Sequence, residues 1–104
     1  MKPRFYILRG REIVPVRDVL EWGQLFEHAD HVLAQESVNG VLISTVFLGI
    51  DHAFGEGPPV LFETMTFPLK GDGIQRRYCT YEDAMKGHAQ VSASYRQMRA
   101  VLGE

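Results

Sequence analysis

The pair Asn39-Gly40, standing between two apolar runs, constrains this chain more than any other feature. A two-residue hairpin loop requires positive φ at both central positions, which asparagine and glycine tolerate at little steric cost. Residues 32–38 and 41–47 are therefore expected to pair as antiparallel strands. Counting back from the turn sets Val38 opposite Val41, Ala34 opposite Thr45 and Val32 opposite Phe47, with Leu33 and Val46 meeting on the other face. The second strand is apolar on both sides, so it belongs in the middle of a sheet. Its two faces should be sandwiched, or one of them covered by a partner chain. A homodimer is one such arrangement.

The rest of the chain supplies partners for this hairpin. Residues 5–8 and 12–16 read as short strands around Arg9-Gly10-Arg11, a hairpin or bent strand whose Pro15 belongs at an edge or outside the sheet. Asp18, with Glu21 three positions on, marks a helix start, and Val19, Trp22, Phe26 and Ala29 give that helix an apolar stripe over about 18–29. Trp22 is its expected core anchor. Residues 60–67 and 75–79 form a second strand pair, bounded by prolines and by the turn-like segment 69–73. Thr80 and Asp83 then open a last helix over about 81–102, ending near Gly103, whose stripe is Ala84, His88, Val91, Tyr95, Met98 and Leu102. The expected fold is α+β, one domain over 1–104 with an antiparallel sheet of four to five strands and two helices packed against it.

Composition narrows what such a domain does. With 104 residues, 45% hydrophobic and 23% charged, the chain is long enough for one core and too apolar for a disordered tail. Its 11 basic and 13 acidic residues, net −2, argue against a protein that works by neutralising phosphates. Arg4, Arg9 and Arg11 form a basic cluster, and Arg76, Arg77, Tyr78 and Tyr81 put cations beside aromatics, but with the net negative charge nucleic acid is not the expected partner. One cysteine excludes an internal disulfide, the polar start has no signal-peptide core, and the apolar run 41–50 is about half a membrane span. The expected setting is a reducing cytoplasm, without membrane contact.

Chemistry is sought first in the connection 49–59, Gly-Ile-Asp-His-Ala-Phe-Gly-Glu-Gly-Pro-Pro, which is long for a hairpin loop and carries no phosphate-loop lysine. Asp51 and His52 offer an oxygen and an imidazole; with Glu63 and His88 they make a candidate divalent-metal set, though no preorganising spacing joins them. Asp51 has an alternative role as the side-chain cap of a turn. Glu63 alternates with Leu61, Met65 and Phe67 and so needs a partner, for which Arg76 and Arg77 are the candidates. His28, Asp30 and His31 fall at a helix end, where the dipole favours cations. Cys79, just before the Thr80 cap, has the position of an activated thiol with His52 or His88 as its candidate base, but no spacing places them together and a small buried side chain is the plainer reading.

The stretch Ile43-Ser44-Thr45-Val46-Phe47-Leu48-Gly49-Ile50-Asp51-His52, then Phe54-Gly55, Gly57-Pro58-Pro59 and Leu61-Phe62-Glu63-Thr64-Met65, resembles a family of small uncharacterised proteins from bacteriophages and prophages. Arg77-Tyr78, Thr80, Glu82-Asp83-Ala84 and Gly87-His88 extend the resemblance through about the second half of the chain. It implies a phage setting and no particular reaction. By analogy with other small phage proteins, it points to action by contact with host or phage machinery, including inhibition of host defence in an anti-CRISPR-like manner. The expected binding residues are Asp51, His52, Phe54, Glu63, Arg77 and His88, with no cofactor and no catalytic residue. A small metal-dependent hydrolase or metal-binding module, and a phage structural or assembly component, are the competing expectations.

Overall fold

The computed structural model describes residues 2–102, with side chains through Met98. At its centre is the expected hairpin, β3 (Val32–Val38) and β4 (Val41–Phe47), turned by Asn39 at φ 52° and Gly40 at φ 82°. Val38 faces Val41 and Ala34 faces Thr45, as the turn dictates, but Val32 lies opposite Val46 and not Phe47. The register slips by one residue between Val32 and Ala34. Strict alternation would send Leu33 away from the core; the bulge lets it pack beside Phe47 and turns Val32 outward instead.

The sheet continues with β5 (Phe62–Phe67) and β6 (Gln75–Tyr78), all antiparallel in the order β3-β4-β5-β6. The first two strands, β1 (Tyr6–Arg9) and β2 (Glu12–Pro15), form a ribbon of their own. Both strands of a two-stranded ribbon are edges, so the N–H that Pro15 lacks has an outward side on which its loss is harmless. The ribbon is tied to the sheet where the chain before it runs antiparallel to residues 49–51: Tyr6 N donates to the Gly49 carbonyl at 2.8 Å and Asp51 N to that of Arg4 at 2.9 Å.

Helix α1 (Val19–Glu27) starts where Asp18 Oδ1 accepts from Leu20 N at 2.9 Å, and it stops two residues short of the expected end. It rests on the ribbon more than on the sheet. None of its residues is buried, and Val19 and Ala29 of the expected stripe are exposed. Trp22 is half-buried, its indole N–H donating to the Tyr6 carbonyl at 2.8 Å, and the rings Phe5, Trp22, Phe26 and Phe47 follow one another at 5.1, 4.9 and 6.3 Å. Trp22 thus anchors α1 to β1, whose Tyr6 is part of the buried core, without being fully buried itself.

Helix α2 (Tyr81–Leu102) covers the sheet. Thr80 Oγ1 caps it by accepting from Asp83 N at 3.0 Å. Ala84, His88 and Val91 are buried and Tyr95 half-buried, but Met98 is exposed, because the sheet runs out at the Asn39 turn, whose side-chain amide donates to the Tyr95 carbonyl at 2.9 Å. The expected stop near Gly103 and the stripe position of Leu102 lie outside the described residues and side chains.

The core lies under α2 on one face of the sheet and extends to the ribbon, where Tyr6 joins Phe47, Leu61, Phe62 and Ala84. Ile43, Leu61, Phe62 and Val91 are completely buried there, each contributing roughly 1.5–3 kcal/mol of apolar transfer. The alternate residues Leu42, Ser44 and Val46 of β4 and Glu63, Met65 and Phe67 of β5 point to the other side. Among the described residues no helix lies over that face, so the expected sandwich is one-sided.

Candidate functional site

The loop after β4 is built from its base outward. Leu48 N donates to the Leu61 carbonyl at 2.7 Å and His52 N to that of Val60 at 3.0 Å, so the strand pair continues beyond Phe47 before the chain opens at 53–59. Gly49 makes the first bend possible, at φ 78° and with the Phe26 ring 2.4 Å from where a Cβ would sit. Asp51 closes the loop. Its buried Oδ1 accepts from Ala53 N and Val60 N, both at 2.8 Å, and Oδ2 meets Lys2 Nζ at 3.0 Å. Burial alone would raise the Asp51 pKa; the two backbone donors and the Lys2 ammonium outweigh it and hold the carboxyl below its ordinary value. Lys2 Nζ also reaches the Gly55 carbonyl at 3.0 Å, pinning the far side of the loop.

Asp51 is therefore the turn cap that was its alternative reading, with its oxygens occupied by protein donors. The loop and the N-terminal segment enclose a concavity of about 590 Å³ lined by Lys2, Arg4, Asp51, His52, Phe54 and Glu56, among others. His52 is exposed at its edge, and Phe54 projects from the loop with its whole side chain in solvent.

Glu63 and His88 are far from sharing a ligand with this loop or with each other. Glu63 is buried on the open side of the sheet, where Oε2 accepts from Gln75 Nε2 at 2.6 Å and from Arg77 Nε at 3.0 Å; of the two arginines considered, Arg77 is the partner. Its neighbour Thr64 points the opposite way, toward α2, and that is the side on which His88 lies. Among the described residues no three His, Cys, Asp or Glu side chains gather to hold a metal ion. The candidate metal set of Asp51, His52, Glu63 and His88 does not come together: Asp51 and His52 lie in the loop, Glu63 on the open side of the sheet and His88 on the α2 side.

Around His88 the structure assembles a chain of polar groups not anticipated as a unit. Nδ1 is 2.7 Å from Thr45 Oγ1, which is 2.5 Å from Thr64 Oγ1, which accepts from the Tyr78 hydroxyl at 3.1 Å. Nε2 is 3.2 Å from Glu36 Oε1, and Arg96 donates to Glu36 Oε2 at 3.1 Å. The Ser92 hydroxyl, and after it Arg96 and the neighbouring His88, hold Glu36 below its ordinary pKa against the burial that would raise it. Carboxylate, imidazole and hydroxyl stand in the order of a nucleophilic triad, but Thr45 and Thr64 have no exposed surface for a substrate to reach. The chain satisfies hydroxyls inside an apolar core. Its one legible trace in the sequence is the hairpin register, which aligns Thr45 with Ile43 and Phe47 and so buries a hydroxyl that must find a partner.

The other candidates resolve locally. Asp30 Oδ1 accepts from Val32 N at 3.1 Å, His31 stacks on Phe26 and donates from Nε2 to its carbonyl, and His28 is the exposed residue that closes α1. Cys79 is half-buried, its sulfur 4.0 Å from the Pro58 carbonyl, and both nitrogens of His88 are engaged elsewhere. Arg76 and Arg77 face opposite sides of β6, Tyr78 turns inward, and Arg11 lies over the Tyr81 ring at 5.5 Å, so these residues form no stacking platform together. No helix among the described residues is long and apolar enough to cross a membrane. No protein-family model, curated protein or solved structure matches the chain.

Proposed function

We propose that this chain is a phage or prophage accessory protein that acts without catalysis, by docking on another protein in the cytoplasm of the bacterial host, with host-defence complexes as the class of target. The phage setting rests on the motif resemblance of the second half of the chain. Docking rests on a single observation: Phe54 is fully exposed at the tip of a loop whose base is held by Asp51 and Lys2. Burying a phenylalanine in a partner's pocket is worth roughly 1.5–3 kcal/mol. A loop already fixed by three hydrogen bonds loses little further freedom on binding, so more of that gain is kept as affinity. Exposed Arg4, His52 and Glu56 form a polar rim around the ring, the surroundings in which aromatic anchors operate.

The experiment replaces Phe54 by a benzophenone-bearing amino acid and crosslinks in phage-infected cells. One protein captured in stoichiometric amount, and no longer co-purifying with a folded Phe54→Ala variant, supports the reading. Recovery of no stoichiometric partner counts against it. Calorimetry with zinc and manganese provides the opposing arm: saturable binding lost in His52→Ala transfers the assignment to a metal site.

A further inference from the structure

The uncovered face of the β3–β6 sheet presents Val32, Gln35 and Ser37 from β3, Leu42, Ser44 and Val46 from β4, Glu63, Met65 and Phe67 from β5, and Gln75 and Arg77 from β6. Leu42 is 37% exposed, Val32 43% and Phe67 50%; Leu42 and Phe67 lie side by side at the Asn39 end of the face and Val32 and Val46 at the other, with Gln35 and Ser44 between them. Among the described residues the ionised groups on the face are Glu63 and Arg77, which are bonded to each other. The remaining side chains are short or neutral, and Ser44 and Gln35 are hydrogen-bonded together at 3.4 Å. A chain that is 23% charged overall thus keeps one whole sheet face free of any uncompensated charge.

We propose that this face is the contact surface of a two-fold homodimer, sheet packed on sheet. Charge favours a second copy as the occupant. A partner recognised by an acidic or basic surface finds no net charge here to read, whereas two copies meet without leaving any ion unpaired, because each Glu63 arrives with its own Arg77. An isologous contact requires a patch that complements itself, and a face whose apolar side chains are interspersed with neutral or internally paired polar ones does. Area sets the strength. Four strands about 4.8 Å apart and about six residues of 3.3 Å rise make a face of about 20 by 20 Å, so two copies bury on the order of 800–1,000 Å², the range of reversible contacts. An area of that size places the dimer among weak, rapidly reversible associations.

Sedimentation equilibrium of the full chain from about 1 µM to 1 mM tests this. The expected result is a monomer–dimer equilibrium that Leu42→Lys with Phe67→Lys weakens about tenfold or more, with the circular dichroism spectrum unchanged. A measurement on the unmodified protein guards against a variant that fails to fold: with 13C-methyl methionine, the Met65 resonance shifts on dilution while that of exposed Met98 stays fixed. Phe54→Ala leaves the equilibrium untouched, which separates this surface from the docking loop. A wild-type chain that is monomeric throughout overturns the proposal and leaves the face to a different protein. A dimer that ignores the lysines and leaves Met65 unshifted overturns it too, by placing the contact elsewhere.

Discussion

The Tyr78 hydroxyl lies 2.2 Å from the point where a Cβ on residue 87 would stand, so Gly87 is what lets the β6 tyrosine lie against α2. Glycine inside a helix normally costs about 1 kcal/mol relative to alanine, and by propensity alone Gly87→Ala should stabilise the protein. The collision decides otherwise. The Tyr78 ring carbons are also at 2.3 and 2.4 Å, part of a residue packed against the core, so overpacking of about 1–3 kcal/mol exceeds the propensity gain. Urea denaturation of Gly87→Ala should show a net loss, and Tyr78→Phe, which keeps the ring, should not rescue it. A more stable Gly87→Ala variant refutes this packing.

Gly49→Ala combines two penalties, a left-handed backbone angle and a clash with the Phe26 ring. A loss of more than about 2 kcal/mol is expected. Adding Phe26→Leu should recover only part of it, since making room does not change φ. Full recovery would mean that the backbone angle carries no cost.

The acid limb of stability should carry the signature of Asp51. Its carboxyl pKa is lower in the fold than in the unfolded chain, so the unfolded state binds the extra proton as pH falls. The stabilisation is complete above the unfolded value near pH 4 and fades as pH drops through the lower folded value. Between pH 6 and pH 3 the urea midpoint of Asp51→Asn should therefore fall less than that of the wild type. Glu36, shifted in the same direction, leaves some slope in both proteins. Parallel pH profiles would refute the role given to Asp51.

His88→Ala removes the partner of both Thr45 and Glu36 and opens a cavity beneath α2, at a cost of about 2–4 kcal/mol. Thr45→Val should cost about 1–2 kcal/mol by itself. Because the two groups share one hydrogen bond, the double variant should lose less than the sum, by about 0.5 kcal/mol or more. Strict additivity would deny the coupling.

Two phenylalanines provide an internal control for the proposed docking role of the 53–59 loop. Phe62→Ala, at a completely buried site, should destabilise by about 3–5 kcal/mol, whereas Phe54→Ala should change stability by less than about 0.5 kcal/mol. A large loss at Phe54 would show that the ring is packed in solution and not available to a partner.

Much of this was legible from local rules. Asn39-Gly40 specified its hairpin because only that pair of backbone angles closes a two-residue loop, and Asp18 and Thr80 marked their helix starts because free amides there need an acceptor. The slip at Leu33 was not legible: the bulge follows from where Phe47 and the ribbon leave room, which no local pattern records. The apolar stripe of α1 was legible only in part: Phe26 does pack against the core cluster and Trp22 against β1, but Val19 and Ala29 stay exposed because the helix meets the ribbon and the sheet end along a narrow strip.

The site divides in the same way. Alternation along β5 was enough to say that Glu63 needs a cation, and residue chemistry was enough to offer Asp51 as a turn cap, because both are short-range requirements of a buried or bent backbone. Whether Asp51, His52, Glu63 and His88 share a ligand depended on which side of the sheet each occupies and on where α2 crosses it. Those are distances between segments far apart in the chain. They follow from the joint packing of helix and sheet, which also joined Glu36, His88 and Thr45 and left the face of Leu42, Met65 and Phe67 uncovered.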